Sequence, residues 1–342
     1  MKATSISAKS TVELRDVPIP RIANYEILVH MKTCGICGTD LEKVHGDHIT
    51  PPVLGHEVAG EVEETGSSVH DFKKGDRVAV HHHISCRSCY YCKNGLETLC
   101  GSYPKSNLDP CGFAEYFRVP ESLVRGGTVY RLRESMSYEE GSQIEPTACC
   151  VRALMKAGVR AGDSAAVFGV GPVGLTHLQL LKLYGVAPIF AIDVLKNRRR
   201  MAEENGAYVS FDPQTDDVPK AISLSAAEGG VDYAIVATGN PKAIGQAVSS
   251  VRKGGCVVLF GAPARGALAS FDLSQLFLEE VRFQSSYSTS EAEMQIALDL
   301  IASKRITPTK LITHRLPLGQ VQEAFQIAEK GFDSAKVIVE NK

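Results

Sequence analysis

The chain has 342 residues, 44% hydrophobic and 22% charged, with a formal net charge of −2, the composition of a globular protein long enough for two cores. No basic or acidic block points to nucleic acid or a membrane surface as partner, and no apolar run approaches the roughly 20 residues of a spanning helix. The start, Met1-Lys-Ala-Thr-Ser-Ile, lacks an apolar leader, so the ten cysteines are expected in the cytoplasm as metal ligands or core thiols rather than disulfides.

In chain order, the first 150 residues read as short strands between turns. The segments 26–32 and 58–64 alternate, and 76–81 is a third short strand, with Pro18, Pro20, Pro51, Pro52, Gly66 and Gly75 as punctuation. The expectation is an all-β, barrel-like domain over 1–150 whose loops carry cysteines. Past Pro146 the rhythm changes. Residues 147–157 have helical spacing. A strand at 164–170, a helix at 173–184, a strand at 189–193 and an Arg-rich helix at 197–205 follow. Then come a strand at 233–237, a helix at 243–251 and a strand at 255–260. This alternation predicts a doubly wound parallel sheet over 151–287, and hence an α/β protein. The tail, 288–342, offers a helix at 291–302, a strand near 311–315, a helix at 318–330 and a last strand at 336–339. It is expected to rejoin the first domain.

Cys86-Arg-Ser-Cys89-Tyr-Tyr-Cys92, followed by Cys100, places four thiols in one lobe of about residues 84–102. Four thiolates around one ion form a closed tetrahedral shell, the chemistry of a structural zinc site that shapes a loop. Gly169-Val-Gly171-Pro172-Val173-Gly174 follows an expected strand and opens an expected helix, and Asp193 ends the next strand. Glycines there let the backbone approach a pyrophosphate, the helix N-terminus stabilises its charge, and the acid receives a ribose diol. Asp193 favours NAD, because a carboxylate repels a 2′-phosphate. Arg198, in the basic run Lys196-Asn-Arg-Arg-Arg200, is the residue able to receive that phosphate in NADP. Thr238 and Gly261 join the candidate nucleotide contacts.

Cys37 lies on one loop and His56-Glu57 on another, and by themselves they are weak evidence for a metal. A catalytic zinc needs few protein ligands and an open position. His81-His82-His83 are neighbours, and strand neighbours point oppositely, so they read as loop or pocket-rim packing. Cys34, Cys149, Cys150 and Cys256 read as packing, and Cys111 as cleft lining or buried filler.

These motifs stand in a fixed order with Gly35-Ile-Cys-Gly-Thr-Asp40, Gly55-His-Glu-Val-Ala-Gly60, Gly75-Asp-Arg-Val78 and the closing Thr313-His-Arg-Leu-Pro-Leu318 and Ala335-Lys-Val337. Over essentially its whole length the chain resembles the zinc-dependent medium-chain dehydrogenases of the alcohol, polyol and threonine dehydrogenase type. The resemblance implies a GroES-like catalytic domain beside the Rossmann domain. It implies two zinc ions per chain, one catalytic and one structural. The implied reaction is oxidation of a secondary alcohol, vicinal diol or polyol to a ketone or aldehyde with hydride transfer to NAD, and the reverse.

Cys37 and His56 match the family's catalytic zinc ligands. Glu57 matches an acid beside the ion that ligates it or acts from behind the ligands, and Glu145 matches the remaining ligand. Thr39 matches the hydroxyl that passes the substrate's proton toward the cofactor ribose, and Asp40 a carboxylate that orients His56. There are departures. Glu42 replaces a His that carries the proton onward, with His45 nearby. Ser286-Tyr287 stands where sorbitol-type enzymes have Arg-Tyr, and Lys43 where they have Tyr. Glu145 leans toward a substrate with two oxygens. The alternatives are oxidation of a β-hydroxy amino acid, an NADP-preferring enzyme, and a zinc-stabilised binding protein that keeps only the fold. The expected partners are the small-molecule alcohol and copies of the same chain, as a dimer or homotetramer.

Overall fold

The computed structural model describes residues 1–8, 11–45 and 53–341; Pro51 and Pro52 lie outside them. The chain divides into two compact units. One comprises Met1–Ala148, Thr289–Lys304 and Pro308–Lys342, the other Cys149–Ser288 and Arg305–Thr307.

The first unit opens with an antiparallel pair, β1 (Lys2–Ala8) and β2 (Thr11–Asp16). There follow β3 (Ile27–Gly35), β4 (Glu57–Thr65), β5 (Arg77–Val80), β6 (Tyr116–Val119) and β7 (Val129–Arg131). β3 is the hub. It pairs antiparallel with β4 along its length and with β6 at its start. Val29, Met31, Val58, Val62, Phe113 and Phe117 form the core beneath it. The unit is not all-β, contrary to expectation. A helix, Gly38–His45, starts directly after Cys37, and shorter ones occupy Tyr90–Lys93, Glu121–Arg125 and Tyr138–Ser142. One or two turns are too short for a helical period to emerge from sequence.

The second unit holds β8 (Ala165–Phe168), β9 (Ile189–Ile192), β10 (Val209–Phe211), β11 (Val231–Val236), β12 (Val251–Leu259) and β13 (Arg282–Ser285). All pairs are parallel, in the order β10-β9-β8-β11-β12-β13. Every residue of β8 and β9 is buried, as a parallel strand covered on both faces requires. The helix expected at 243–251 ends at Val248, and Val251 already opens β12. Val251 pairs with Val231 of β11, so the sheet ladder takes a β-branched residue that the helical period also fits.

The last two strands, β14 (Ile312–Pro317) and β15 (Lys336–Glu340), run parallel, and β15 pairs antiparallel with β3. The helix expected at 318–330 is a short 3-10 turn, Leu318–Gln320, leading into Val321–Lys330. It stops at Gly331, whose φ of 66° is the left-handed value that favours glycine. No helix among the described residues is long and apolar enough to cross a membrane.

Candidate active site

The register of β3 and β4 assembles the first group of donors. Gly35, the last residue of β3, lies opposite Glu57, the first of β4. Cys37 and His56 therefore emerge at the same end of the pair. The ligating atoms of Cys37, His56 and Glu57 lie within 4.8 Å of one another. Gly35 is required here, because a Cβ on it would sit 2.0 Å from Glu57 Oε2. Lys336, delivered by β15 on the far side of β3, forms a buried ion pair with Glu57 and donates to Ile36 O at 3.0 Å.

Asp40 is fully buried in the first turn of the Gly38–His45 helix. It accepts from Cys37 N at 3.1 Å and from Gly55 N at 2.9 Å, tying the two loops together. Its Oδ1 also lies 3.5 Å from His56 Nδ1, which leaves Nε2 of that ring to face a ligand. Burial opposes a charge on His56, but Asp40 and Cys37 raise its pKa well above the ordinary value. Thr39 Oγ1 lies 3.6 Å from Cys37 Sγ.

Glu145, in the first turn of the Ile144–Ala157 helix and buried, is gathered with His81 and His82 rather than with Cys37. The ligating atoms of these three lie within 4.8 Å of one another. The reading of the histidine triplet as packing overlooked this. β5 stops at Val80, so strand alternation does not govern His81–His83, and two adjacent rings can face one carboxylate. The His82 ring centroid is 4.8 Å from that of His56. His81 Nε2 is 3.2 Å from Tyr103 Oη, which itself donates to Thr289 O at 2.6 Å, so the His81 proton sits on Nε2. His83 Nδ1 donates to Ser106 O at 2.9 Å. Burial keeps all three rings neutral, with pKa values of about 3 for His81, about 4 for His83 and well below ordinary for His82. Nδ1 of His81 and of His82 is buried without a partner.

The four sulfurs of Cys86, Cys89, Cys92 and Cys100 lie within 4.8 Å of one another. Their closest separations, 3.5 Å for Cys89–Cys92 and 4.0 Å for Cys86–Cys92, are far from a disulfide bond. Backbone N–H groups point at the sulfurs: Cys89 N to Cys86 Sγ and Cys86 N to Cys100 Sγ, both 3.3 Å, and Ser102 N to Cys100 Sγ at 3.4 Å. Hydrogen bonds from Ser88 and from the Cys89 N–H pull the Cys86 thiol down to about 5. Such donors stabilise thiolates, the form that binds zinc, so the donor set fits the ion.

In the second unit the expected nucleotide residues meet at the carboxyl ends of β8, β9, β11 and β12, where the strand order reverses. Gly169, at φ 85°, turns the chain out of β8, and Gly171 caps the Pro172–Leu183 helix, with Pro172 and Val173 in its first turn. A Cβ on Gly174 would stand 2.1 Å from Gly169 O, so only glycine lets this helix pack so close to the loop. A Cβ on Gly169 would lie 3.0 Å from Thr238 Cβ, and one on Gly261 would lie 2.4 Å from Thr238 N. Asp193 accepts from Val170 N and from Leu195 N, both at 2.9 Å. Each oxygen keeps a lone pair for a ribose hydroxyl. The basic run divides. Arg199 pairs with Asp212 and Arg200 with Glu204. Arg199 also donates to Asp193 O at 2.7 Å, while Arg198 reaches toward the glycine loop, with Nη1 at 4.0 Å from Asp193 Oδ2 and 3.5 Å from the position of a Gly171 Cβ.

Of the other residues singled out, Cys34, Cys150 and Cys256 are buried and Cys149 is half-buried. The buried Cys111 thiol donates to Thr4 O at 3.5 Å. His45 pairs with Glu329 at 2.8 Å. Sequence reasoning assigned no role to Lys336 or His82. Lys336 stands in the closing Ala335-Lys-Val337 motif, which was the available signal.

Residues 23–126 match the family model of the alcohol dehydrogenase GroES-like domain, and residues 172–303 match that of the zinc-binding dehydrogenase. A sorbitol dehydrogenase of Bacillus subtilis is 30% identical over 96% of this chain and 93% of its own. A zinc-binding dehydrogenase of Sinorhizobium meliloti bound to NADP superposes with a TM-score of 0.89 at 31% identity, covering 99% of this chain and 98% of its own. The 2R,3R-butanediol dehydrogenase of B. subtilis gives 0.88 at 29% identity, covering 100% and 99%. The chain belongs to the zinc-dependent medium-chain alcohol dehydrogenase family and is an oxidoreductase of that class.

Proposed function

We propose that this chain oxidises a secondary alcohol, vicinal diol or polyol to a ketone or aldehyde with hydride transfer to NAD+, and catalyses the reverse reduction. The observation that carries the reading is the meeting of Cys37, His56 and Glu57 within 4.8 Å, next to the Thr39 hydroxyl. A thiolate, an oriented imidazole and carboxylates suit a zinc ion with an open position. Cys37 and His56 would hold the catalytic ion, with Glu57 as direct ligand or neighbouring charge and with Glu145, which here stands with His81 and His82, as the remaining ligand that the resemblance implies; Cys86, Cys89, Cys92 and Cys100 would hold the structural one. Bound there, the catalytic zinc supplies a Lewis acid that lowers the pKa of a hydroxyl, and the nicotinamide accepts hydride. The chain's own residues do the rest. Asp40 fixes the tautomer of His56 by facing Nδ1, and Lys336 balances Glu57. Thr39 Oγ1 takes the hydroxyl proton and passes it on to the ribose. The sorbitol and butanediol enzymes among the relatives act by name on a polyol and a vicinal diol, which supports the diol and polyol reading. A panel of alcohols, diols and polyols with NAD+ and NADP+, read as reduced nicotinamide, tests it; no turnover of any member at full zinc loading would sink it.

Thr39→Val should lower kcat by roughly 10²–10⁴-fold, the usual worth of a positioned proton-transfer group, with zinc content intact, while Thr39→Ser stays close to wild type. A fully active Val variant would remove Thr39 from the proton path. The preference for NAD rests on Asp193. Asp193→Gly frees Arg198 and should shift the NADP/NAD ratio of kcat/KM upward by at least about tenfold, the equivalent of ~1.4 kcal/mol. A wild-type enzyme that already prefers NADP+ would overturn this assignment. The same reading takes the protein to be cytoplasmic and a homo-oligomer, a dimer or tetramer. The ten free cysteines support the first, and the exposed Leu273, Phe277 and Leu278 ahead of β13 support the second.

A further inference from the structure

Besides the four-cysteine lobe, the described residues gather two groups of donors, and these share no residue. One is Cys37, His56 and Glu57; the other is His81, His82 and Glu145. Every member of the second group is buried, His81 completely and His82 and Glu145 at 6% and 7% exposed. The two rings stand on a fixed backbone. β5, which leads into them, is paired on both sides, with β4 and with β7, and His81 N donates to Thr128 O at 2.9 Å. Glu145 comes to them from the first turn of the Ile144–Ala157 helix.

The nitrogen that His81 can offer is fixed as well. Its Nε2 donates to Tyr103 Oη at 3.2 Å, and Tyr103 in turn donates to Thr289 O at 2.6 Å. Nδ1 is left with a bare lone pair. Metal-binding histidines are held in this way, with one ring nitrogen on a partner and the other turned to the ion. Two imidazoles and a carboxylate are the donor set of a first-row divalent cation such as zinc, with one position open. The set has no thiolate. The His82 ring also lies 4.8 Å from that of His56, centroid to centroid, so an ion held here faces the charge of one held by Cys37 and His56. Both features place its affinity below that of the Cys37 group, and the two groups fill in that order.

We propose that His81, His82 and Glu145 form a third metal site, which takes a divalent cation after the catalytic and structural ions are bound. A cation there holds Glu145 away from the catalytic ion, so zinc in large excess lowers turnover. The binding stands on the cluster alone; the effect on turnover rests on the dehydrogenase reading above. Tyr103 is a positioning residue of the site, acting through His81.

The test starts from full-length enzyme carrying two zinc ions per chain, dialysed to equilibrium against rising zinc chloride, with bound metal counted per chain. The wild type is expected to take up a third ion, and alcohol oxidation should fall along the same curve. His81→Gln and His82→Gln should each weaken that uptake by about tenfold or more, a difference of ~1.4 kcal/mol. Tyr103→Phe keeps the ring and its packing and should weaken it by roughly 10–100-fold, the usual cost of losing the partner behind a ligand. Cobalt(II) as the added ion gives a second reading: its absorption should lack the thiolate-to-cobalt charge-transfer band, because this site has no sulfur. A third ion that all three variants bind as the wild type does, or a third cobalt with a thiolate band, lies elsewhere on the chain and overturns the proposal. A count that stays at two overturns it as well, and a weaker catalytic ion in His82→Gln would then mean that both groups hold one ion. Turnover unchanged with the third ion bound would overturn the effect through Glu145. If no alcohol is oxidised but the third ion binds in a His82-dependent way, the metal site stands and the dehydrogenase reading fails.

Discussion

Replacing Cys37 with serine is expected to remove one of two zinc ions per chain and to lower kcat/KM for alcohol oxidation by about a thousandfold or more. The size follows from the several kcal/mol that a bound metal contributes to stabilising developing negative charge, at 1.36 kcal/mol for each factor of ten. Cys37 supplies the only thiolate of the Cys37, His56, Glu57 and Glu145 set, and serine is a far poorer ligand for zinc at neutral pH. The fold should tolerate the change. The Cys37 N–H still reaches Asp40, and the side chain is only half-buried. The variant should therefore keep its thermal midpoint and its structural zinc while losing turnover. Wild-type rates at one zinc per chain would remove Cys37 from the chemistry.

Cys89→Ser should act in the opposite manner, on the fold rather than the reaction. A structural zinc site contributes folding free energy on the order of 10–16 kcal/mol in small peptides. The lobe it would hold has little else: its Tyr90–Lys93 helix has no buried residue, and Tyr90 is 74% exposed. Three remaining thiolates bind the ion poorly. Zinc content should fall toward one per chain, the thermal midpoint should drop, and proteolysis should begin within 84–102. Two zinc ions retained with an unchanged midpoint would mean that these sulfurs do not share an ion.

How much of this was legible in the sequence depended on distance along the chain. The four-cysteine lobe and the glycine loop are local. Cys86 to Cys100 and Gly169 to Gly174 each carry their chemistry within a single turn-rich segment, so spacing alone identified them. The parallel sheet was legible because its buried strands are short apolar runs between helical stretches. What stayed hidden was set by pairing between remote segments. Glu57 meets Lys336 only because β15 pairs with β3, and the Ala335-Lys-Val337 motif marks the position of Lys336 without saying which carboxylate it meets. The nearness of the His82 ring to His56 and Glu145 stayed hidden because the end of β5 at Val80 is fixed by its ladder to β4 and β7. The short helices of the first unit and the edge strands β10 and β13 were missed for want of length.

The central claim is that the Cys37–His56 site makes this chain a zinc-dependent, nicotinamide-linked alcohol dehydrogenase. The most direct measurement is alcohol-dependent reduction of NAD+ by enzyme stripped of its catalytic zinc with a chelator and then titrated with zinc, the structural site remaining filled. Activity should be absent in the stripped enzyme and rise linearly to a plateau at one added zinc per chain, and the Cys37→Ser variant should stay flat. Turnover in the stripped enzyme equal to that of the reloaded one would contradict the account.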